Sequence, residues 1–125
     1  MLRLENITFS YDEETEVLKD VTLNIEKGKK TLFLGENGSG KSTLFLIMNG
    51  LLQAQKGDIY FEGEKIKHKK KDLEDLRRKV GIIFQDPEIQ IFAPLVFQEV
   101  AYGPENLGYS PEKVEEKVNR AMKEI

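Results

Sequence analysis

Apolar side chains recur at every second position near the start of the chain, at Leu2 and Leu4, then Ile7 and Phe9, and again at Val21, Leu23 and Ile25. That is the period of strands with one buried face, and the polar stretch Asp12, Glu13, Glu14, Thr15 between them reads as the turn of an antiparallel pair. The pattern then changes. Thr31, Leu32, Phe33 and Leu34 form a run apolar on both faces, which predicts a central buried strand. Residues 41–52 are apolar almost all round and predict an interior helix. A short strand over 58–61 follows, then a polar surface helix over 72–79 with Leu73 and Leu76 on one face. Val80 to Phe84 reads as a second continuous apolar strand. Residues 85–95 are broken by Pro87 and Pro94 and predict irregular chain before a helix from Val96. Ser110 as N-cap and Pro111 at the first helical position open a last helix, whose stripe is Val114, Val118, Ala121 and Ile125.

Between the first central strand and the interior helix lies a stretch that gives up packing altogether. Gly35, Glu36, Asn37, Gly38, Ser39, Gly40, Lys41 and Ser42 satisfy G-x-x-x-x-G-K-[ST] at every fixed position. With glycine at about 7% of residues, a chance match in so short a chain arises in well under roughly one case in a hundred. A strand leading into such a loop and a helix leading out of it curve successive backbone N–H groups into an anion-binding nest. Side chains would block the phosphates, so glycines are required, and some positions need positive φ. The helix starting near Lys41 aims its positive dipole end at the same point. Lys41 supplies a point charge toward β- and γ-phosphate oxygens and Ser42 a hydroxyl ligand for Mg²⁺. The expected nucleotide-binding segment runs from Gly35 through Thr43, for a triphosphate with Mg²⁺, which by itself leaves kinases, GTPases and ATPases open.

Composition narrows the partners. The 125 residues, 39% hydrophobic, suit one domain. The 22 acidic residues against 19 basic give a net charge of -3, which offers no long-range attraction to nucleic acid or anionic lipid. No cysteine is present, so disulfides and thiolate metal sites are excluded, and a reducing compartment fits. The run from Leu44 to Met48 is far shorter than the roughly 20 apolar residues of a membrane span, and no export signal is read in the N-terminus. The lone histidine, His68, falls among Lys65, Lys67, Lys69, Lys70 and Lys71 and reads as a solvated loop; no aromatic interleaves the lysines, as single-stranded nucleic acid would require.

With "ITFSY" before the loop, "LGENGSGKSTL" at it and "VGIIFQDPE" after it, the chain resembles the ATP-binding subunits of ABC transporters. The run "FQDPEIQIFAPLVFQEVAYGPENLG" looks specifically like the cobalt/nickel and energy-coupling-factor importers. The resemblance implies an α/β fold of the P-loop NTPase type, a RecA-like core with an N-terminal antiparallel β subdomain. Residues 1–63 would hold the β region and phosphate loop, and 80–125 the Q-loop and the start of the helical subdomain. It also implies that the nucleotide is ATP, that Tyr11 stacks on adenine, and that Gln85 senses Mg²⁺ and the attacking water, which makes Lys41 and Gln85 the catalytic pair and Ser42 and Gln85 the metal ligands. Residue chemistry agrees: Tyr11 just past a strand can present a ring face, and a neutral amide at Gln85 can meet a cation and water without added charge. A tyrosine without ligand role and a merely polar strand end stay open for the two positions.

Ile89, Ile91, Phe92, Leu95, Val96 and Phe97 crowd an irregular stretch, which reads either as an exposed docking patch or as packing on the chain's own core. In the family, a transmembrane importer subunit docks in this region, around Gln85 to Phe97, and a second ATP-binding subunit completes each site. The expected place is the cytoplasmic face of the membrane, as a peripheral protein. The match stops before the family's signature, its Asp-Glu strand and its switch histidine; Asp86 reads as part of the Q-loop. The expectation is therefore a partial chain, binding nucleotide weakly and hydrolysing it negligibly by itself. A non-hydrolysing nucleotide-binding module and a soluble ABC protein outside transport are the alternatives. A GTPase is disfavoured by the lack of N-K-x-D.

Overall fold

The computed structural model describes residues 1–12 and 14–124; Glu13 of the expected turn and Ile125 of the expected stripe lie outside them. The chain divides into two compact units, Met1–Ile82 and Ile83–Ile125.

In the first unit, strands β1 (Leu2–Ser10), β2 (Glu16–Ile25), β3 (Lys56–Phe61) and β4 (Glu64–Lys65) form an antiparallel sheet of order β2-β1-β3-β4. The alternation in the first 25 residues is thus a strand pair, with Leu2 facing Ile25 and Leu4 facing Leu23. The pattern skips a residue between Leu4 and Ile7, and the structure shows why. Asn6 adopts φ 52, and the register shifts there against both neighbouring strands, a bulge that returns Ile7 and Phe9 to the inner face. Asn6 is tied by its N–H to Thr22 Oγ1 (2.9 Å) and by its side-chain amide to Asp20 Oδ1 (2.7 Å). Opposite the bulge, a Cβ on Gly57 (φ 90) would collide with the carbonyl oxygens of Glu5 and Asn6, so only glycine fits.

Helix α1 (Lys41–Met48) buries Thr43, Leu44, Ile47 and Met48, and Leu44, Ile47 and Met48 meet Leu2, Leu4, Ile7, Phe9, Leu18 and Ile59 in one core. Each fully buried Leu or Ile contributes about 1.5–3 kcal/mol over its exposed state. The helix stops short of the expected residue 52. Asn49, buried, donates from its carboxamide to Val80 O (2.6 Å), and the Arg77 guanidinium donates to Gly50 O (2.6 Å). The stop itself is local: Gly50 takes φ 73, and its N–H and that of Leu51 return to Ile47 O (2.9 Å) and Leu46 O (2.8 Å), a left-handed close that satisfies the last carbonyls. Arg77 belongs to α2 (Lys70–Arg77), the expected polar helix, which buries only Leu76.

Two expected strands are not strands. Residues 31–34 and 80–84 join no ladder, and Leu32, Leu34 and Ile83 are 79%, 84% and 90% exposed. A central strand exists only with hydrogen-bonded neighbours, and none of β1 to β4 pairs with these segments. Phe33 alone finds the core, edge-on to Phe45 at 5.4 Å between ring centroids.

The second unit opens with a 3-10 turn, Pro87–Gln90, and contains α3 (Val96–Asn106) and α4 (Pro111–Lys123). The α3 C-terminus closes with Tyr109 N–H on Pro104 O (3.3 Å) and Gly108 N–H on Glu105 O (2.9 Å), a reversal that satisfies the last carbonyls. Pro111 takes its expected place, but the Ser110 side chain makes no capping bond to the helix backbone. Its hydroxyl serves Glu112 instead, whose carboxyl pKa is lowered first by its own backbone N–H and then by Ser110. Val114 and Val118 pack on Ala101 with Val100 beside them; Ala121, expected on the same stripe, is exposed.

Candidate functional site

Gly38 and Gly40 carry φ of 82° and 85°, so the chain passes into α1 through a left-handed Gly40 that no L side chain would tolerate cheaply. Gly40 provides no side chain to cap the helix, and the first turn of α1 holds no acidic residue. The first N–H groups of α1 are thus left for a ligand. Ser39 N–H returns to Glu36 O at 3.2 Å, which closes the loop as a turn.

The Lys41 ammonium fills the concavity. It donates to Gly35 O (2.7 Å), Glu36 O (2.6 Å) and Ser39 Oγ (3.2 Å), three acceptors for its three N–H bonds. A Cβ on Gly35 would lie 2.7 Å from Ser39 Oγ, so that cradle admits only glycine without a shift. The side chains of Glu36, Asn37 and Ser42 are exposed around it.

Tyr11 is joined to this loop. Its hydroxyl shares a hydrogen bond with Thr43 Oγ1 at 3.0 Å, in the first turn of α1. Phe9 meets its ring edge-on at 4.9 Å, yet Tyr11 stays 63% exposed. Sequence reasoning placed Thr43 in the nucleotide segment but had no signal for this bond, because Tyr11 and Thr43 are 32 residues apart.

Gln85 lies in the second unit and is exposed, next to an open cleft lined by Phe84, Asp86, Ile89 and Gln90. Asp86 Oδ1 accepts from Glu88 N–H (3.2 Å) and so starts the 3-10 turn. Farther along, Glu99 Oε2 accepts from the N–H groups of Phe92 (3.2 Å) and Ala93 (2.9 Å), which holds the stretch between that turn and α3. Around it Ile89, Ile91, Phe92, Leu95, Val96 and Phe97 are all exposed. Phe92 finds only Tyr102, ring against ring at 4.6 Å. Of the two readings of this stretch, packing on the unit's own core does not occur.

His68 is half-buried near α2, and its pKa is lowered, by burial first and by the nearby Arg77 charge second. Among the described residues no group of three or more His, Cys, Asp or Glu side chains could hold a metal ion, and no helix is long and apolar enough to cross a membrane.

The family model for the ABC transporter matches residues 18–125. This chain belongs to the ABC transporter family. Among its relatives is the energy-coupling factor transporter ATP-binding protein EcfA of Methanocaldococcus jannaschii, 44% identical over all 125 residues and 45% of that protein's length. Among solved structures, cbiO1 of Clostridium perfringens, described as part of the ABC transporter complex cbiONQ, superposes with a TM-score of 0.83 at 38% identity over 98% of this chain and 49% of its own. A dimeric ATP-binding cassette bound to ADP and Pi superposes at 0.77 with 29% identity over 98% of this chain and 56% of its own. The ABC transporter chain described here spans 28% to 45% of the length of the first curated relatives it matches. The fold is that of an ABC ATPase cassette, of which these residues contribute the antiparallel sheet, the phosphate loop and the helices that follow.

Proposed function

We propose that the protein carrying this chain is the ATP-binding motor subunit of an ABC-type importer, coupling MgATP binding and hydrolysis to uptake of a metal ion or a vitamin. The observation that carries the reading is the loop itself: positive-φ glycines lead into an uncapped helix start, and one ammonium sits on three loop acceptors. In this reading the free N–H groups of the loop and of α1 collar the β- and γ-phosphates, and Lys41 turns its charge from the Gly35 and Glu36 carbonyls to the phosphate oxygens. Binding by preorganised dipoles and one point charge is the chemistry that phosphoryl transfer needs.

The oxygen donors fit a hard cation delivered with the nucleotide. Bound Mg²⁺ would neutralise charge on the β- and γ-oxygens, and Ser42 and Gln85 are the residues of this chain that would hold it. Gln85 would also orient the attacking water, and Tyr11 would stack on adenine through its exposed ring face. Gly35, Glu36, Asn37, Gly38, Ser39, Gly40 and Thr43 would complete the nucleotide contacts.

Two partners follow from the same reading. The exposed apolar stretch from Ile89 to Phe97 suits a transmembrane importer subunit, which would hold the protein peripherally at the cytoplasmic face of the membrane; residues 80–125 would then be the Q-loop and the start of the helical subdomain. A second ATP-binding subunit would complete the site, a reading supported by the dimeric relative. Calorimetric titration of the full-length protein with MgATP tests the core of this. Heat of binding is expected, and Lys41→Ala should weaken affinity at least about tenfold, the effect of losing a charge-assisted phosphate contact. No heat, or equal heat in the variant, ends the reading.

A further inference from the structure

Tyr11 has no burial to hold it still, yet both its ends are fixed. Ahead of it, the Gln55 carboxamide brackets the backbone of Ser10: Ser10 N–H donates to Gln55 Oε1 at 2.6 Å, and Gln55 Nε2 donates to Ser10 O at 3.0 Å. Gln55 is held in turn by its own N–H on Thr8 O, 3.0 Å. A side chain thus stands in for a strand neighbour at the last residue of β1, one position before the ring. At the far end the Tyr11 hydroxyl meets Thr43 Oγ1, and Thr43 is 94% buried in α1, exposing only 6% of its surface. Between these anchors the ring borders an open cleft that Gln55, Ser10 and Lys56 also line.

We propose that Gln55 and Thr43 are positioning residues that hold the Tyr11 ring as a platform for the base of the nucleotide, an inference that rests on the nucleotide reading above. An exposed aromatic that must be ordered at the moment of binding loses affinity to that ordering, and one fixed beforehand does not. Two unrelated segments, the residues before β3 and the first turn of α1, converge on Tyr11 and the residue before it. Both bonds of the bracket are open to solvent, and together they fix the direction in which the chain enters Tyr11. Neither anchor shares a bond with the Lys41 ammonium, whose acceptors are Gly35, Glu36 and Ser39. Gln55, which shares no bond with any residue of the Gly35–Thr43 segment, therefore lets the base platform be weakened apart from the phosphate collar, to which Thr43 itself belongs.

The experiment compares, in the full-length protein, the affinities for MgATP and for magnesium tripolyphosphate, which carries the phosphates and no base. Gln55→Ala should weaken MgATP about threefold to tenfold, the worth of one or two hydrogen bonds, and leave tripolyphosphate unchanged. Tyr11→Phe, which keeps the ring and removes only the hydroxyl, should do the same and serves if Gln55→Ala does not fold. Equal losses for both ligands would make Gln55 a support of the loop as a whole and overturn the proposal, as would unchanged MgATP affinity in both variants. Wild-type protein that binds neither ligand would be a different result, ending the nucleotide reading and this inference with it.

Discussion

The two units treat their apolar residues in opposite ways. In Met1–Ile82 a sheet face and a helix close on each other, and Leu4, Ile7 and Ile47 are fully buried. In Ile83–Ile125 two helices close on Ala101, Val114 and Val118, while Ile83, Ile89, Ile91, Phe92, Leu95, Val96 and Phe97 stay exposed. A sheet offers a broad continuous surface to a helix, whereas two short helices meet along one seam. The difference separates a unit that buries most apolar residues of its sheet and helix, with Leu32 and Leu34 left exposed beside them, from one that presents most of its own outward. The phosphate loop is built on the first, where a fixed scaffold keeps donors in place; the proposed docking surface is on the second.

Cavity substitutions in the full-length protein should break that contrast most strongly. Ile7→Ala should cost about 2–5 kcal/mol in denaturant unfolding, and Val118→Ala roughly 1–2 kcal/mol; equal costs would mean the second unit has a core as demanding as the first. Next, Ile89→Ser should change stability by less than about 0.5 kcal/mol, as surface substitutions do, while reducing recovery of a transmembrane partner in co-purification. A large loss of stability would instead show that Ile89 is covered by the protein itself. The smallest effect concerns His68. Its folded-state pKa is lowered by burial and then by Arg77, so the unfolded chain binds the proton more readily. The stability this contributes is present above the unfolded value of about 6.5 and is lost as pH falls from there through the folded value. His68→Gln should flatten this part of the profile of unfolding midpoint against pH, and an unchanged profile would remove His68 as its source.

The strand pair of the first 25 residues, the phosphate loop, the helix starts at Lys41, Val96 and Pro111 and the polar helix near Leu73 and Leu76 were legible because each is a local pattern: an alternation, a fixed spacing, a proline at a first turn. The bulge at Asn6 left a trace, the skipped residue between Leu4 and Ile7, but its meaning needed Gly57 from a strand far along the chain. Residues 31–34 and 80–84 show the opposite failure. Their apolar runs have the composition of central strands, yet a strand is a property of pairs, and no pairing forms for them among the described residues.

What the residue order determined by itself was the conformational licence of the phosphate loop: glycines where φ must be positive, a lysine at the spacing that returns its ammonium to the loop, and a helix behind it. What only the tertiary structure decided was the set of partners that distant residues choose. Asn49 and Gly50, just past the end of α1, bond Val80 and Arg77, Gln55 completes β1, and Thr43 holds the hydroxyl of Tyr11. A hydrogen bond between residues 32 or 45 positions apart depends on where the whole chain has folded, and no periodicity along the sequence encodes it.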